Sequence, residues 1–134
     1  MPDIQATLEK DSDVKFVFHE MPILGPSSRT AAQYALAAHK QGKYFEYHVA
    51  LMEFRGEKND KTLEKLAKDV GLDVEKAKAD ANSKEIAAMI EESMTLASKI
   101  GIRGTPAFIV GDKLFRGYLG PDGLQSEIKT ARKK

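Results

Sequence analysis

Leu63, Leu66, Ala67 and Val70 repeat apolar residues at i, i+3, i+4 and i+7, the stripe of a helix that Gly71 closes. A longer run starts at Ser83, a good N-cap, and sets Ile86, Met89, Ile90, Leu96, Ala97 and Ile100 near one face before Gly101. Earlier, Ser27 or Ser28 caps a helix through Ala31, Ala32, Ala35, Leu36 and Ala38 to Gly42. Its small apolar residues let a neighbouring element approach closely. Tyr44, Tyr47, His48 and Leu51 recur at helical spacing over about Lys43 to Phe54, and Gly56 with Glu57-Lys58-Asn59-Asp60 ends that helix. Asp73 caps a short helix bearing Val74, Ala77 and Ala81. Pro2–Lys10, with Ile4 and Leu8 four apart, is helical, and so is Asp122–Lys133, with Leu124 and Ile128 inward.

Three runs read as strands. Val14-Lys15-Phe16-Val17-Phe18 is rich in β-branched and aromatic residues. Ala107–Val110 and Lys113–Arg116 flank Gly111-Asp112, a pair suited to a two-residue hairpin turn. Pro22, Gly25 and Pro26 mark one loop, and Gly117, Gly120, Pro121 and Gly123 another. The order is helix, strand, five helices, hairpin, helix, which predicts an α/β mixed sheet with helices on its faces. Three strands are few for so many helices. The pattern reads as a sheet short of one strand.

Composition narrows the chemistry. The chain has 134 residues, the size of one domain, and no linker or repeat divides it. Twenty-one basic residues against 20 acidic ones leave a net charge of +1, too little to draw nucleic acid or anionic lipid. No apolar run approaches the roughly 18 residues of a membrane span, and the N-terminus lacks a secretory signal. Cysteine is absent, which removes disulfides, thiolate metal sites and thiol nucleophiles from this chain. No Gly-rich phosphate loop, Ser/His/Asp set or paired-carboxylate motif stands out, so no cofactor is expected.

Few side chains remain as candidates. His39, His48 and Glu46 match no metal-ligand spacing and read as structural or surface residues. Glu20, beside His19, is either a buried acid that tunes proton transfer or a polar strand end. Tyr44, Phe45, Tyr47 and Phe54 suit core packing better than a peptide groove. Asp60–Asp69 is a solvated helix face, and Lys129 with Arg132-Lys133-Lys134 is a basic helix end. Gly104-Thr105-Pro106 is more specific. A proline at the mouth of a strand pushes its predecessor toward extended geometry. If the Thr105–Pro106 bond is cis, the Thr105 backbone projects outward to pair with an extended peptide. Spacing alone leaves cis and trans open.

Gly101-Ile102-Arg103-Gly104-Thr105-Pro106-Ala107-Phe108-Ile109-Val110-Gly111, followed by the hairpin and last helix, resembles the cis-proline loop of DsbA-like thioredoxin-fold proteins. Val14–Phe18 with His19-Glu20-Met21-Pro22-Ile23-Leu24-Gly25 is similar to that family's strand and following loop, and His39-Lys40-Gln41-Gly42-Lys43-Tyr44-Phe45 to its bacterial members. The resemblance covers nearly the whole chain. It implies one α/β domain over 1–134: a thioredoxin-like fold from 1–25 and 101–134 with an all-helical insertion at about 26–100. It also implies thiol–disulfide exchange on exported proteins, in the periplasm or otherwise outside the cytoplasm.

One departure matters. Members carry a strand and then Cys-X-X-Cys at the start of the first helix, where backbone amides and the helix dipole stabilise the thiolate. This chain has neither, so it is expected to be a truncated, redox-inactive form: a fragment, or a product of an internal start. The absent strand lies centrally in the family, between Val14–Phe18 and Ala107–Val110. The sheet is therefore expected to be incomplete, and either rearranged or covered in a homodimer through exposed strand edges. The expected partner is an extended or unfolded polypeptide held at Gly104, Thr105 and Pro106, with no nucleic acid and no membrane insertion. The alternative is a non-redox, chaperone-like peptide-binding module using the same proline loop. A glutathione-dependent branch of the fold also lacks its thiol-activating position here.

Overall fold

The structure, a computed structural model, describes residues 2–11, 13–20, 22, 26–102, 107–117 and 119–133. Its elements are α1 (Pro2–Lys10), α2 (Pro26–Lys40), α3 (Tyr44–Glu53), α4 (Asp60–Asp69), α5 (Val74–Ala81), α6 (Lys84–Lys99), β1 (Ala107–Val110), β2 (Lys113–Arg116) and α7 (Pro121–Arg132). The chain divides into two compact units, residues 19–96 and residues 1–18 with 97–134.

The helical unit is built around α2. Its Ala32, Tyr34, Ala35, Ala37 and Ala38 are buried, and α2 packs most extensively on α5, where Ala77 and Ala81 are buried too. Small residues on both helices let the two backbones come close. Tyr47 and Leu51 of α3, Leu63, Leu66 and Ala67 of α4, and Ile86 and Ile90 of α6 complete the core. Each large apolar side chain fully buried here contributes about 1.5–3 kcal/mol. Tyr47 is fully buried with its hydroxyl satisfied, donating to the Leu63 carbonyl at 2.9 Å.

Helix starts in this unit follow side-chain chemistry. Asn59 Oδ1 accepts from the Thr62 N–H at 2.9 Å, Asp73 Oδ1 from Lys76 at 3.2 Å, and Ser83 Oγ from Ile86 at 3.3 Å. The expected cap at Ser27 or Ser28 is a turn late, because α2 already begins at Pro26. Proline at the first helical position loses only an N–H that the first turn leaves unpaired. A second expectation also shifts. Leu96 and Ile100 are 46% and 36% exposed, while Ala97 is buried. At 3.6 residues per turn Leu96 sits about 100° around α6 from Ala97, off the stripe that Ile86 and Ile90 begin.

The other unit holds α1, residues 11–18, the end of α6, the hairpin and α7. β1 and β2 pair antiparallel with Val110 opposite Lys113 and Ala107 opposite Arg116, as the hairpin reading expects. Gly111, at φ 63°, takes the first position of the turn, and no non-glycine residue has positive φ among those described. That is a type II′ turn. Gly120 precedes Pro121 at the start of α7, and Leu124 is 1% exposed. α1 packs against α7, with Thr7 fully buried and Ile4 and Leu8 only partly so.

Val14–Phe18 departs from the expected strand. The sheet described is two-stranded, β1 with β2, and residues 14–18 join no ladder. They are nonetheless extended. Val14, Phe16 and Phe18 are half-buried while Lys15 and Val17 are exposed, and the Phe16 and Phe18 rings stack 6.4 Å apart. That is close to the two-residue rise of a strand. The β-forming sequence is present, but strand pairing needs a neighbour at hydrogen-bonding distance. Here there is none among the described residues.

Candidate functional site

Gly104, Thr105 and Pro106, the residues expected to hold a peptide, lie outside the described residues. Before them, just past the end of α6, Gly101 has φ 79° and the Ile102 N–H donates to the Ala97 carbonyl at 2.8 Å. Arg116 of β2 donates through Nε to the Gly101 carbonyl at 3.3 Å. On the other side β1 begins at Ala107. Both borders are thus anchored to regular structure.

A groove of about 370 Å³ lies within the same unit. One wall is Asp13–Val17 and the other is Ala107–Gly111, with Leu124, Ile128, Ala131 and Arg132 of α7 between them. Arg132 braces one end, donating to the Asp13 carbonyl at 2.7 Å and pairing with Asp11 at 2.8 Å. That guanidinium and its hydrogen bond hold the Asp11 carboxyl below its usual range. The pair is solvent-exposed and screened, so it adds little to stability.

In the helical unit Glu20 meets α3. The Tyr44 hydroxyl donates to Glu20 Oε1, the His48 ring stacks on Tyr44 with centroids 5.5 Å apart, and His39 meets the Tyr44 ring edge-on at 6.3 Å. Burial pushes the Glu20 carboxyl above its ordinary value, partly opposed by the Tyr44 hydrogen bond. Burial also lifts the Tyr44 hydroxyl and lowers His48. His48 Nδ1 lies 4.0 Å from Glu20, but a lowered imidazole is neutral near pH 7, so this contact is no ion pair there. Glu20 is half-buried, its side chain 17% exposed, and residues 14–18 before it join no ladder. What sequence missed was its partner, because Tyr44 is 24 residues away. Tyr44, Tyr47 and Phe54 pack in or against the core. His39 and Glu46 are exposed, and the described residues bring together no group of three His, Cys, Asp or Glu able to hold a metal.

The description of the DSBA-like thioredoxin domain matches residues 1–129. The chain belongs to that family. Among solved structures it is similar to a thioredoxin-like oxidoreductase from Silicibacter pomeroyi DSS-3, 42% identical, with a TM-score of 0.94 over all of this chain and 78% of that one. It is also similar to the thiol-disulfide exchange protein alpha-DsbA2 from Wolbachia pipientis, 33% identical, TM-score 0.88, over 96% of this chain and 71% of that one. Among curated proteins it is 25% identical over 132 residues to Na(+)/H(+) antiporter NhaA 1 of Salinispora arenicola. This DSBA-like domain spans 97% of its own length there but only 20% of that relative's. No described helix is long and apolar enough to cross a membrane. The fold is therefore the thioredoxin-like DsbA fold, and its relatives by sequence include thiol–disulfide oxidoreductases.

Proposed function

We propose that this chain is the substrate-holding body of an extracytoplasmic thiol–disulfide oxidoreductase, and that by itself it is redox-inactive. The observation that carries the reading is a family match over 1–129 in a chain with no cysteine. Two relatives more than 30% identical are a thioredoxin-like oxidoreductase and a thiol-disulfide exchange protein, which supports the reaction class. Exchange requires a thiolate to attack a disulfide sulfur and a second thiol to release the mixed disulfide. This chain supplies neither thiol. In this reading the reactive pair sits on polypeptide outside these residues. Gly104-Thr105-Pro106 then holds an extended or unfolded polypeptide beside that pair through main-chain pairing.

Insulin reduction tests the assignment. The chain alone is expected to give no acceleration over the dithiothreitol background, and measurable turnover by pure chain overturns redox inactivity. An upstream reading frame without a strand followed by Cys-X-X-Cys overturns the oxidoreductase reading itself. With such a segment present, Thr105→Pro removes the Thr105 N–H and is expected to raise KM for a peptide disulfide. An unchanged KM excludes pairing through that amide.

A further inference from the structure

Tyr44 and His48 stand four residues apart on α3, so they share one face of the helix, and both meet Glu20. The Tyr44 hydroxyl donates to Glu20 Oε1, and His48 Nδ1 lies 4.0 Å from the same oxygen. The two rings stack 14° from parallel, which holds the imidazole beside the carboxyl. The His48 side chain is 15% exposed and that of Glu20 little more, so solvent screens them less than a surface pair. Two groups that change charge in weak acid, at this separation and burial, titrate as a pair rather than singly. Other charged groups nearby are engaged elsewhere or face water. From α2, His39 meets the Tyr44 ring edge-on, and Lys40 is taken by Glu85 at 2.9 Å and Asp80 at 3.8 Å. Lys43, just ahead of α3, donates to the Val70 carbonyl. His19 and Glu46 are exposed. Burial opposes a charge on His48, and the N-terminal ammonium adds to that. Burial likewise opposes a charge on Glu20.

We propose that Glu20 and His48 form a pH-sensitive clasp: in weak acid they hold one proton from solvent between them, and the 4.0 Å gap closes to a hydrogen bond that draws residue 20 onto α3. Without that proton the pair carries the negative charge of the Glu20 carboxylate, which Tyr44 alone steadies. With one proton the pair has no net charge, whichever atom bears it. A neutral acid donates to the imidazole, or an imidazolium donates to the carboxylate, and either form suits a half-buried place better than a lone charge. The imidazolium form also gains the face of the Tyr44 ring. A second proton leaves the pair positive and removes the reason for closure. The clasp lies within the helical unit and is independent of the exchange chemistry proposed above.

The test is an NMR titration of the full chain between about pH 4 and about pH 8, reading the His48 ring nitrogens and the Glu20 carboxyl carbon. Both signals are expected to move in two steps with the same two midpoints. Between those midpoints a slowly exchanging, downfield proton signal of the Glu20–His48 hydrogen bond is expected. Glu20→Gln removes the carboxylate, so His48 is expected to titrate in one step, shifted to lower pH, and the downfield signal to vanish. His48→Asn is expected to leave Glu20 with one step. Tyr44→Phe keeps the ring but removes the donor to Oε1, so the Glu20 steps are expected to shift to higher pH. Acetylating the N-terminus removes its ammonium and is expected to preserve the shared midpoints. The proposal is overturned if Glu20 and His48 titrate singly in the parent, if Glu20→Gln leaves the His48 curve unmoved, or if acetylation abolishes the shared midpoints. Absence of the downfield signal in the parent overturns the closure. Where a variant fails to fold, the two parent curves decide.

Discussion

Single side chains in the helical unit carry more than their sequence positions suggest. Tyr47 anchors α3 to α4 by donating its hydroxyl to the Leu63 carbonyl inside the core. Tyr47→Phe keeps the ring and removes the donor, so urea unfolding is expected to show a loss of about 1–2 kcal/mol. Gly71 holds a left-handed turn after α4 at φ 85°, and a Cβ there would meet Lys43 Nζ at 2.8 Å. That amine already donates to the Val70 carbonyl at 3.0 Å. Gly71→Ala is expected to cost about 1 kcal/mol or more in the same assay. Glu20 sets a pH dependence. Its carboxyl is raised by burial, so the stability linked to it is full below the ordinary carboxylate range and lost as pH rises through the raised value. Glu20→Gln keeps an acceptor for the Tyr44 hydroxyl. It is expected to unfold at a higher temperature than the parent at pH 7 and at the same temperature near about pH 4.

At the scale of elements, helix positions were legible wherever an apolar stripe and a cap coincide. Leu63, Leu66 and Ala67 are buried as their spacing predicts, and Asp73 caps α5. The limit of such reading shows in α6 and α1. Spacing says which residues share a face, but only the neighbouring elements decide which face is covered and how far along. Leu96 therefore stays exposed, and Thr7, a polar residue between two apolar ones, is fully buried among the described side chains of α1. The loop after α2 is fixed by a reciprocal contact: Gln41 donates to the Asp73 carbonyl at 3.1 Å and accepts from its N–H at 2.9 Å. Gln41→Ala leaves both main-chain groups without that partner. It is expected to destabilise by about 1–2 kcal/mol, seen as a lower urea midpoint with an unchanged slope.

For the molecule as a whole, the lack of cysteine makes a simple physical statement. No covalent cross-link restrains the unfolded chain, so thermal unfolding is expected to be the same with and without dithiothreitol. Protection against amide exchange is expected to be high in α2–α6, where a continuous core excludes water. At residues 14–17, whose backbone joins no ladder among the described residues, exchange is expected to be fast, and protection as high as in α2–α6 would contradict this.

Sequence alone determined the succession of elements, the hairpin register through Gly111-Asp112, the family likeness and the absence of thiol chemistry. Each of these depends on residue identity and short-range spacing, which the chain carries locally. Tertiary structure decided which faces are covered, that Glu20 is half-buried against Tyr44, and that residues 14–17 join no ladder among the described residues. Those outcomes depend on what comes within hydrogen-bonding or van der Waals distance across many residues. A β-forming segment in particular becomes a strand only when a second backbone edge is there to pair with it.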